Sequence, residues 1–393
     1  MRPHGQSCEM GNRIEDFDYT AENFLRHKAQ DAVPFVEYFE ARSAAFAKSY
    51  AGRRKLYLDT KFWVKLRKAA EGSPLEPGDR ILLEKLRSAV TDGRVVCPFS
   101  SPLWFEVFHQ TDRTTRVMTA CLIDELSLGL TIFTEEDRIA LEVGELFDIF
   151  VLRKTPREKM EHLVWSVPVC GLGIPFVHSR DWPEADANAI QKTALDEMWL
   201  TPFAGIADGA DELATKVKAP LAKMAEEMNR LRGTHHPAAS FEEEHAREFV
   251  GALRGRRATI AQAVELSTRR HFGAIAQADP RVYDEAAKRF SEQLLDAFLH
   301  RRLGNALPTL VIPAALHAAM NRDPQRKFQS GDFHDFSHAT VALAYCDAFA
   351  TERALGHLLD AQLQFSRRYA TGVFVTTDAL VAWLDGLTPP TSA

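Results

Sequence analysis

Strand-like sequence in this chain is confined to two short stretches. The first holds the run 55–59 (Lys-Leu-Tyr-Leu-Asp) and the run 94–97 (Arg-Val-Val-Cys). The second holds 348–351 (Ala-Phe-Ala-Thr) and 372–377. Between them, from 111 to 326, strand signals nearly vanish and helical periodicity dominates. Each stretch therefore supplies one pair of strands, and two strands alone do not make a stable domain. Together the two pairs suffice. The chain is constrained to a discontinuous α/β domain whose parts meet in space, with a helical insertion between them.

Helical patterning fits around these strands. Residues 1–50 read as a helical arm, with Phe35, Tyr38, Phe39 and Phe46 at roughly helical spacing. Thr60 is the expected cap of a helix over 61–70 with Phe62, Trp63 and Leu66 as its apolar stripe. A helix over 80–90 leads through Asp92-Gly93 into 94–97. Ser101-Pro102 reads as N-cap and first helical position, which puts Glu106 one turn into the next helix. Further helices are expected over 213–231, 241–272 and 282–302. Past Gly331 the spacing predicts a helix over 333–345, then strand 348–351, then a helix over 353–364 with Leu355, Leu358, Leu359 and Leu363 inward. The strand 372–377 precedes a last helix, capped by Asp378 and ended by Gly386. The expected division is an arm (1–50), a first α/β part (51–110), a helical insertion (111–329) and a second α/β part (330–393).

Composition excludes several classes. Of 393 residues, 46% are apolar and 26% charged, the balance of an ordinary globular protein. No run approaches the roughly 18 apolar residues of a membrane span; Pro168, Gly171, Gly173 and Pro175 break the most apolar segment, 163–177. The first residues lack the apolar core of a signal peptide, so the expected location is cytoplasmic, with no membrane partner. Five widely spaced cysteines without a CxxC pair argue against a disulfide framework or a zinc ribbon. A net charge of −6 means that a nucleic-acid partner would need a local basic patch. There is no Walker loop, Rossmann glycine fingerprint or HExxH. Lys61, where a dehalogenase-like phosphatase needs the second Asp of Asp-x-Asp, excludes that class.

Four acids sit where a parallel α/β sheet would place ligands, beyond the carboxyl ends of its strands. Asp59 ends the first run, Glu106 lies in the helix after the second, Asp335 opens a helix and Glu352 follows the third run. Carboxylates converging there repel one another unless a hard cation sits among them, so a divalent-metal site is the leading hypothesis. Plainer roles exist: Asp59 as a cap or turn residue, Glu352 as a first-turn acid. His334 and His338 are four apart on one helix, a metal-holding spacing, although an exposed pair at a helix start is the simpler reading. The His334-Asp335 dyad also prompts an HD-type phosphohydrolase, an all-helical class that needs further upstream histidines. Arg254, Arg256, Arg257, Arg269, Arg270, Arg301 and Arg302 form basic clusters open between a track for a nucleic-acid backbone and, the simpler reading amid so many acids, a solvated mixed-charge face. Arg113 and Arg116, close behind Glu106, are better placed to touch a substrate.

The blocks Leu56-Tyr57-Leu58-Asp59-Thr60, Ser101 through Glu106, Asp335-(x)3-Ala339-(x)2-Ala342 and Cys346 through Glu352 occur in this order. In that order they resemble the PIN domain family of metal-dependent nucleases, over roughly 50–110 and 330–390. The resemblance implies a PIN-like α/β/α sandwich with a central parallel sheet, here interrupted by a large all-helical insertion. It implies an endoribonuclease, toxin-like or defence-related, that uses Mg²⁺ or Mn²⁺ to hydrolyse phosphodiester bonds. Asp59, Glu106, Asp335 and Glu352 would carry over as the catalytic, metal-binding acids, with Asp347 and Asp332 as further candidates. A metal-bound water of lowered pKa would attack the phosphorus in line, and the metal would stabilise the leaving 3′-oxygen. Lys61, Arg113, Arg116 and His338 are the substrate-binding candidates; Lys61 is open between a phosphate contact and a solvated helix start. Lys61 and Glu352 depart from the family pattern, which keeps a degenerate PIN-fold binding or scaffold protein as the alternative. The partner implied is nucleic acid, RNA foremost. A homo-oligomer and an inhibitor or regulatory protein are open.

Overall fold

The chain folds, in this computed structural model, around the apolar run that begins at Lys55. The residues described are 16–156, 158–177, 183–210, 219–232, 238–273 and 279–388. The first elements are α1 (Asp16–Ala29), α2 (Phe35–Lys48), β1 (Arg54–Leu58), α3 (Thr60–Ala70), α4 (Pro77–Thr91), β2 (Val95–Val96), α5 (Ser101–Phe108) and α6 (Arg113–Ser127). Next come β3 (Thr131–Ile132), α7 (Glu135–Phe150), α8 (Met160–Leu163), β4 (Trp165–Ser166), α9 (Glu184–Trp199), α10 (Phe203–Asp208), α11 (Ala219–Arg232), α12 (Phe241–Gly255), α13 (Arg257–Phe272) and α14 (Pro280–Leu299). The chain closes with α15 (Pro308–Arg322), α16 (Ser330–Tyr345), β5 (Ala348–Ala350), α17 (Arg353–His357), α18 (Phe365–Tyr369), β6 (Gly372–Phe374) and α19 (Thr377–Asp385).

Two compact units divide it. One comprises 1–42 and 175–201, the other 43–174 and 202–393. In the first unit Asp196 of α9 accepts hydrogen bonds from Tyr38 (2.6 Å) and Arg26 (2.9 Å), lies 2.9 Å from His27 Nε2 and pairs with Arg42. The expected arm is therefore not a separate piece. It folds with residues that the sequence reading assigns to the insertion, and its first fifteen residues lie outside the described ones.

The second unit holds a four-stranded sheet in the order β2-β1-β5-β6, parallel throughout. Leu56 pairs with Ala348, Tyr57 with Phe349 and Leu58 with Ala350, so the two halves of the sequence join at the centre of the sheet. Strand residues alternate between faces. Leu56, Leu58, Val95, Cys97, Ala348 and Ala350 enter one core with α3 to α6 and α19. Tyr57, Val96 and Phe349 enter another with α15 and α16. Burial on both faces is why these strands read as unbroken apolar runs. A third core, built by α7 and α12 to α15 around Ile139, Phe249, Phe290 and Val311, is purely helical. Among the described residues no helix is long and apolar enough to cross a membrane.

Several boundaries differ from the sequence reading. The stretch 111–329 contains strands: β3 and β4 pair antiparallel, and Phe99 bridges to Thr131 beside β2. Two-residue strands show no period, so the pattern could not reveal them. The first α/β part also runs past 110, since α6 packs on α3 and its Leu126 carbonyl accepts the Cys97 N–H at 2.9 Å. The expected helix over 241–272 breaks at Arg256 into α12 and α13, and the one over 353–364 gives way to α17 and a π turn, Leu358–Gln362. The expected helix over 213–231 begins outside the described residues and is seen from Ala219. Caps shift by one or two residues. Asp59 rather than Thr60 caps α3, Ser100 rather than Ser101 precedes α5, and Thr376 rather than Asp378 caps α19.

Trp63 joins α3 to β1. It is fully buried, and its indole N–H donates to the Leu58 carbonyl at 3.1 Å. Truncation removes that packing and orphans a buried acceptor, so Trp63→Ala should cost about 3–5 kcal/mol. Urea unfolding checks this; a loss under about 1 kcal/mol would mean that the core closes over the gap.

Candidate active site

The turn from β1 into α3 sets the first acid. Asp59 is nearly buried, and its side chain accepts the Phe62 N–H at 3.2 Å as the N-cap. The plain reading as a cap is thus correct, yet only one oxygen is used for it. Burial raises the Asp59 pKa, against the charge of His338 and the amide of Phe62. The Thr351 hydroxyl, buried and without a hydrogen-bond partner of good geometry, also favours its charged form.

The Glu106 carboxylate is held from two sides. His338 Nε2 lies 2.9 Å from Oε2, and the Thr60 hydroxyl donates to the same oxygen. Burial would raise the Glu106 pKa, but these contacts with His338 and Thr60 outweigh it and the net shift is downward. His338 is 1% exposed, not the exposed helix-start residue of the simpler reading. Its Nδ1 meets the Tyr57 hydroxyl at 2.7 Å, and Tyr57 also hydrogen-bonds the Ser100 hydroxyl. Burial alone would depress the imidazolium of His338. The hydrogen bond to Glu106 and the charges of Glu106, Asp59 and Asp335 win, and its pKa is raised. His334 is half-buried, and burial lowers its pKa against the pull of Glu106.

Asp335 is pushed up to about 6 by burial and by the charges of Asp59, Glu352 and Asp332, with His338 opposing. Among the described residues its carboxylate has no hydrogen bond or ion pair. Glu352 occupies the N-cap position of α17 but makes no capping bond. Asp59, Glu106, Asp335 and Glu352 line one cavity of about 510 Å³, with Thr60, Lys61, Lys65, Glu76 and His338 also in its wall. Lys61 is exposed, and Lys65, four residues on, is buried against Glu76 at 2.7 Å and Asp79 at 3.7 Å.

No family model, curated protein or solved structure matches the chain.

The cavity's donors suit a hard divalent cation in kind: Asp335, mostly buried and, among the described residues, without a bonded partner, feels the charges of Asp59 and Glu352 beside it. Among the described residues, however, no three His, Cys, Asp or Glu side chains are already arranged to hold an ion. Glu106 Oε2 is engaged by His338 and Thr60, and drawing the acids together would require side-chain movement.

The other sequence candidates lie elsewhere. Asp347 precedes β5, at the opposite end of the strand from Glu352, where it accepts the Lys55 N–H (2.8 Å) and the Arg54 guanidinium (2.6 Å). Asp332 closes the capping box of α16 and pairs with Arg326 at 3.1 Å. Arg113 is paired with Asp208 through two bonds of 2.8 and 2.7 Å. Arg116 is 1% exposed and donates to the carbonyls of Ala207 (2.9 Å) and Gln110 (3.0 Å), so it is a structural residue and cannot touch a substrate. In the insertion, Arg256, Arg257, Arg269 and Arg302 pair with acids, as a mixed-charge face should. The sequence reading missed Tyr57, Ser100 and Lys65. Only Lys65 had a visible signal, one helical turn after Lys61.

Two measurements follow. Asp335 binds its proton more tightly folded than unfolded. Its penalty is absent below pH about 4 and complete above pH about 6. Asp335→Asn should therefore raise stability by about 1–3 kcal/mol at pH 7 in metal-free buffer, and by nothing near pH 4. Melting curves across that range read it, and a pH-independent difference would refute it. Arg116→Ala removes a buried guanidinium and its hydrogen bonds to the Ala207 and Gln110 carbonyls and should cost about 2–4 kcal/mol; an unchanged denaturation midpoint would return Arg116 to the list of available cations.

Proposed function

We propose that the chain is a metal-dependent endoribonuclease on a PIN-like α/β/α sandwich interrupted by a helical insertion. The observation that carries this reading is the shared cavity of Asp59, Glu106, Asp335 and Glu352 at the carboxyl ends of β1 and β5. Four acids from four separate segments, drawn from both halves of the chain, line that one space. The order and spacing of the sequence blocks support the same reading.

Asp59, Asp335 and Glu352, with Glu106, would hold Mg²⁺ or Mn²⁺. When bound, such an ion lowers the pKa of a water and neutralises charge on a phosphodiester. Thr60 and His338 fix the orientation of Glu106. Lys61, exposed on the cavity wall, is the residue for a backbone phosphate, while Lys65 is held back by Glu76. The four-stranded parallel sheet beneath Asp59 disfavours the all-helical HD-type phosphohydrolase.

One observation favours a second reading, a binding protein on the same fold without catalysis. His338, buried among three of the acids and 2.9 Å from Glu106, already meets charges that favour its protonated form. The test is cleavage of single-stranded and structured RNA and DNA with Mg²⁺ or Mn²⁺. Asp59→Asn and Asp335→Asn should each lose more than the roughly 10–100-fold that removal of a ligand-supporting residue costs. Absence of cutting by the wild type, with no metal uptake by calorimetry, would select the binding protein.

A further inference from the structure

A second cavity, of about 830 Å³, shares two walls with the acidic one. On α5, Phe105 lines this groove and the next residue, Glu106, lines the acidic cavity. On α16, Phe333, His334 and Ser337 line the groove, whereas Asp335 and His338 line the acidic side. α5 and α16 therefore contribute residues to both spaces. The far wall is built by α11, α12 and α15, helices outside the segments that carry the acids.

The chemistry of the groove is unlike that of the acidic cavity. Aromatic rings line part of the groove: His317 has Phe336 edge-on at 5.3 Å and Phe333 at 6.3 Å, and is backed by Phe328, outside the lining, at 5.5 Å and 29°. Burial holds the His317 pKa down to about 4, so this ring is a neutral aromatic at pH 7. The groove's charged side chains have protein partners: Arg256 pairs with Glu135 and Glu136, Glu248 accepts from Asn321 at 2.7 Å, and the nearly buried Arg138 donates to the Phe133 carbonyl at 2.9 Å. A groove lined by aromatic and apolar side chains, with its charged groups held by protein partners, suits a neutral planar ring better than a phosphate.

The hydroxyls in the wall set a polarity. Ser101 donates to the Gly171 carbonyl (2.8 Å), Ser337 to that of Phe333 (2.9 Å) and Thr340 to that of Phe336 (2.7 Å). Each single proton is engaged, so these hydroxyls have only acceptor capacity left for a ligand.

We propose that this groove is a base-selection subsite: an unpaired nucleobase enters it while the adjoining phosphate lies at the acidic cavity. The acceptor wall favours a base with an exocyclic amine, such as adenine, cytosine or guanine, over uracil. The proposal rests on the nuclease reading for the identity of the ligand, but its own residues are Phe105, Phe333 and Ser337.

The test is equilibrium binding of labelled RNA hexamers to the full chain in EDTA, beside a cleavage assay with Mn²⁺. The A and C hexamers should bind about tenfold more tightly than the U hexamer or an A hexamer with abasic central nucleotides. Phe333→Ala should erase that difference. So should Phe105→Leu, a milder change that keeps the wall apolar should the alanine variant fail to fold. Equal affinity for intact and abasic hexamers overturns the subsite, and if Mn²⁺-dependent cutting persists the nuclease reading survives alone. Base-dependent binding without cutting keeps the subsite and removes the catalysis. Neither binding nor cutting overturns both.

Discussion

The contact on which the candidate site depends is the hydrogen-bonded line that runs from Ser100 through Tyr57 and His338 to Glu106 and Thr60. Its members come from the segment before α5, from β1, α16, α5 and α3. Buried polar groups without partners cost a few kcal/mol each, so such a line holds together or fails together. Because Tyr57 and His338 belong to opposite halves of the sequence, the line also locks the discontinuous sheet at the β1–β5 pairing. The acids inherit their positions from it. Glu106 is held directly, and Asp335 stands one turn before His338 on the same helix.

Charge decides what this arrangement costs. His338 meets Asp59, Asp335 and Glu106 from within the protein, and all three favour its protonated form. One buried histidine cannot serve three acids equally. Glu106 takes the hydrogen bond and ends with a lowered pKa, while Asp335 remains unpaired and is pushed up to about 6. The fold thus tolerates local destabilisation at Asp335 that a neutral side chain would remove. Strain of this kind is concentrated where function needs it. A structural ion cluster would look different, as Asp196 does, with four partners around one carboxylate.

Much of this was legible in the sequence, and the rest failed for physical reasons. The two strand pairs were visible because parallel strands covered on both faces are continuously apolar. The acids at their carboxyl ends were visible because chain order alone locates them. β3 and β4 were invisible because two residues carry no period. Arg116 was misread because an arginine behind a candidate site looks like a phosphate ligand, and only the fold shows its guanidinium buried against two carbonyls. Asp347 was misread because the ends of β5 are only a few residues apart in sequence, so an acid on either side of the strand seems equally near. The role of Tyr57 was hidden by its neighbours: between Leu56 and Leu58 it reads as one more core residue.

The helical additions can be understood from the sheet's own geometry. α15 belongs to two cores at once, contributing Ile312 and Leu316 to the one beneath the sheet and Leu310 and Val311 to the helical one. It therefore ties the helical core to the layer that carries His338, since α15 packs on α16. The same helix supplies His317 to the groove wall. A helix shared by two cores cannot shift without disturbing both. The groove and the acidic cavity are then held in fixed register by α16, which lines both. On this account the long helical stretch is not an appendage to the α/β sheet. It is the element that turns one face of α5 and α16 into a second wall, and so sets a larger groove beside the small acidic cavity.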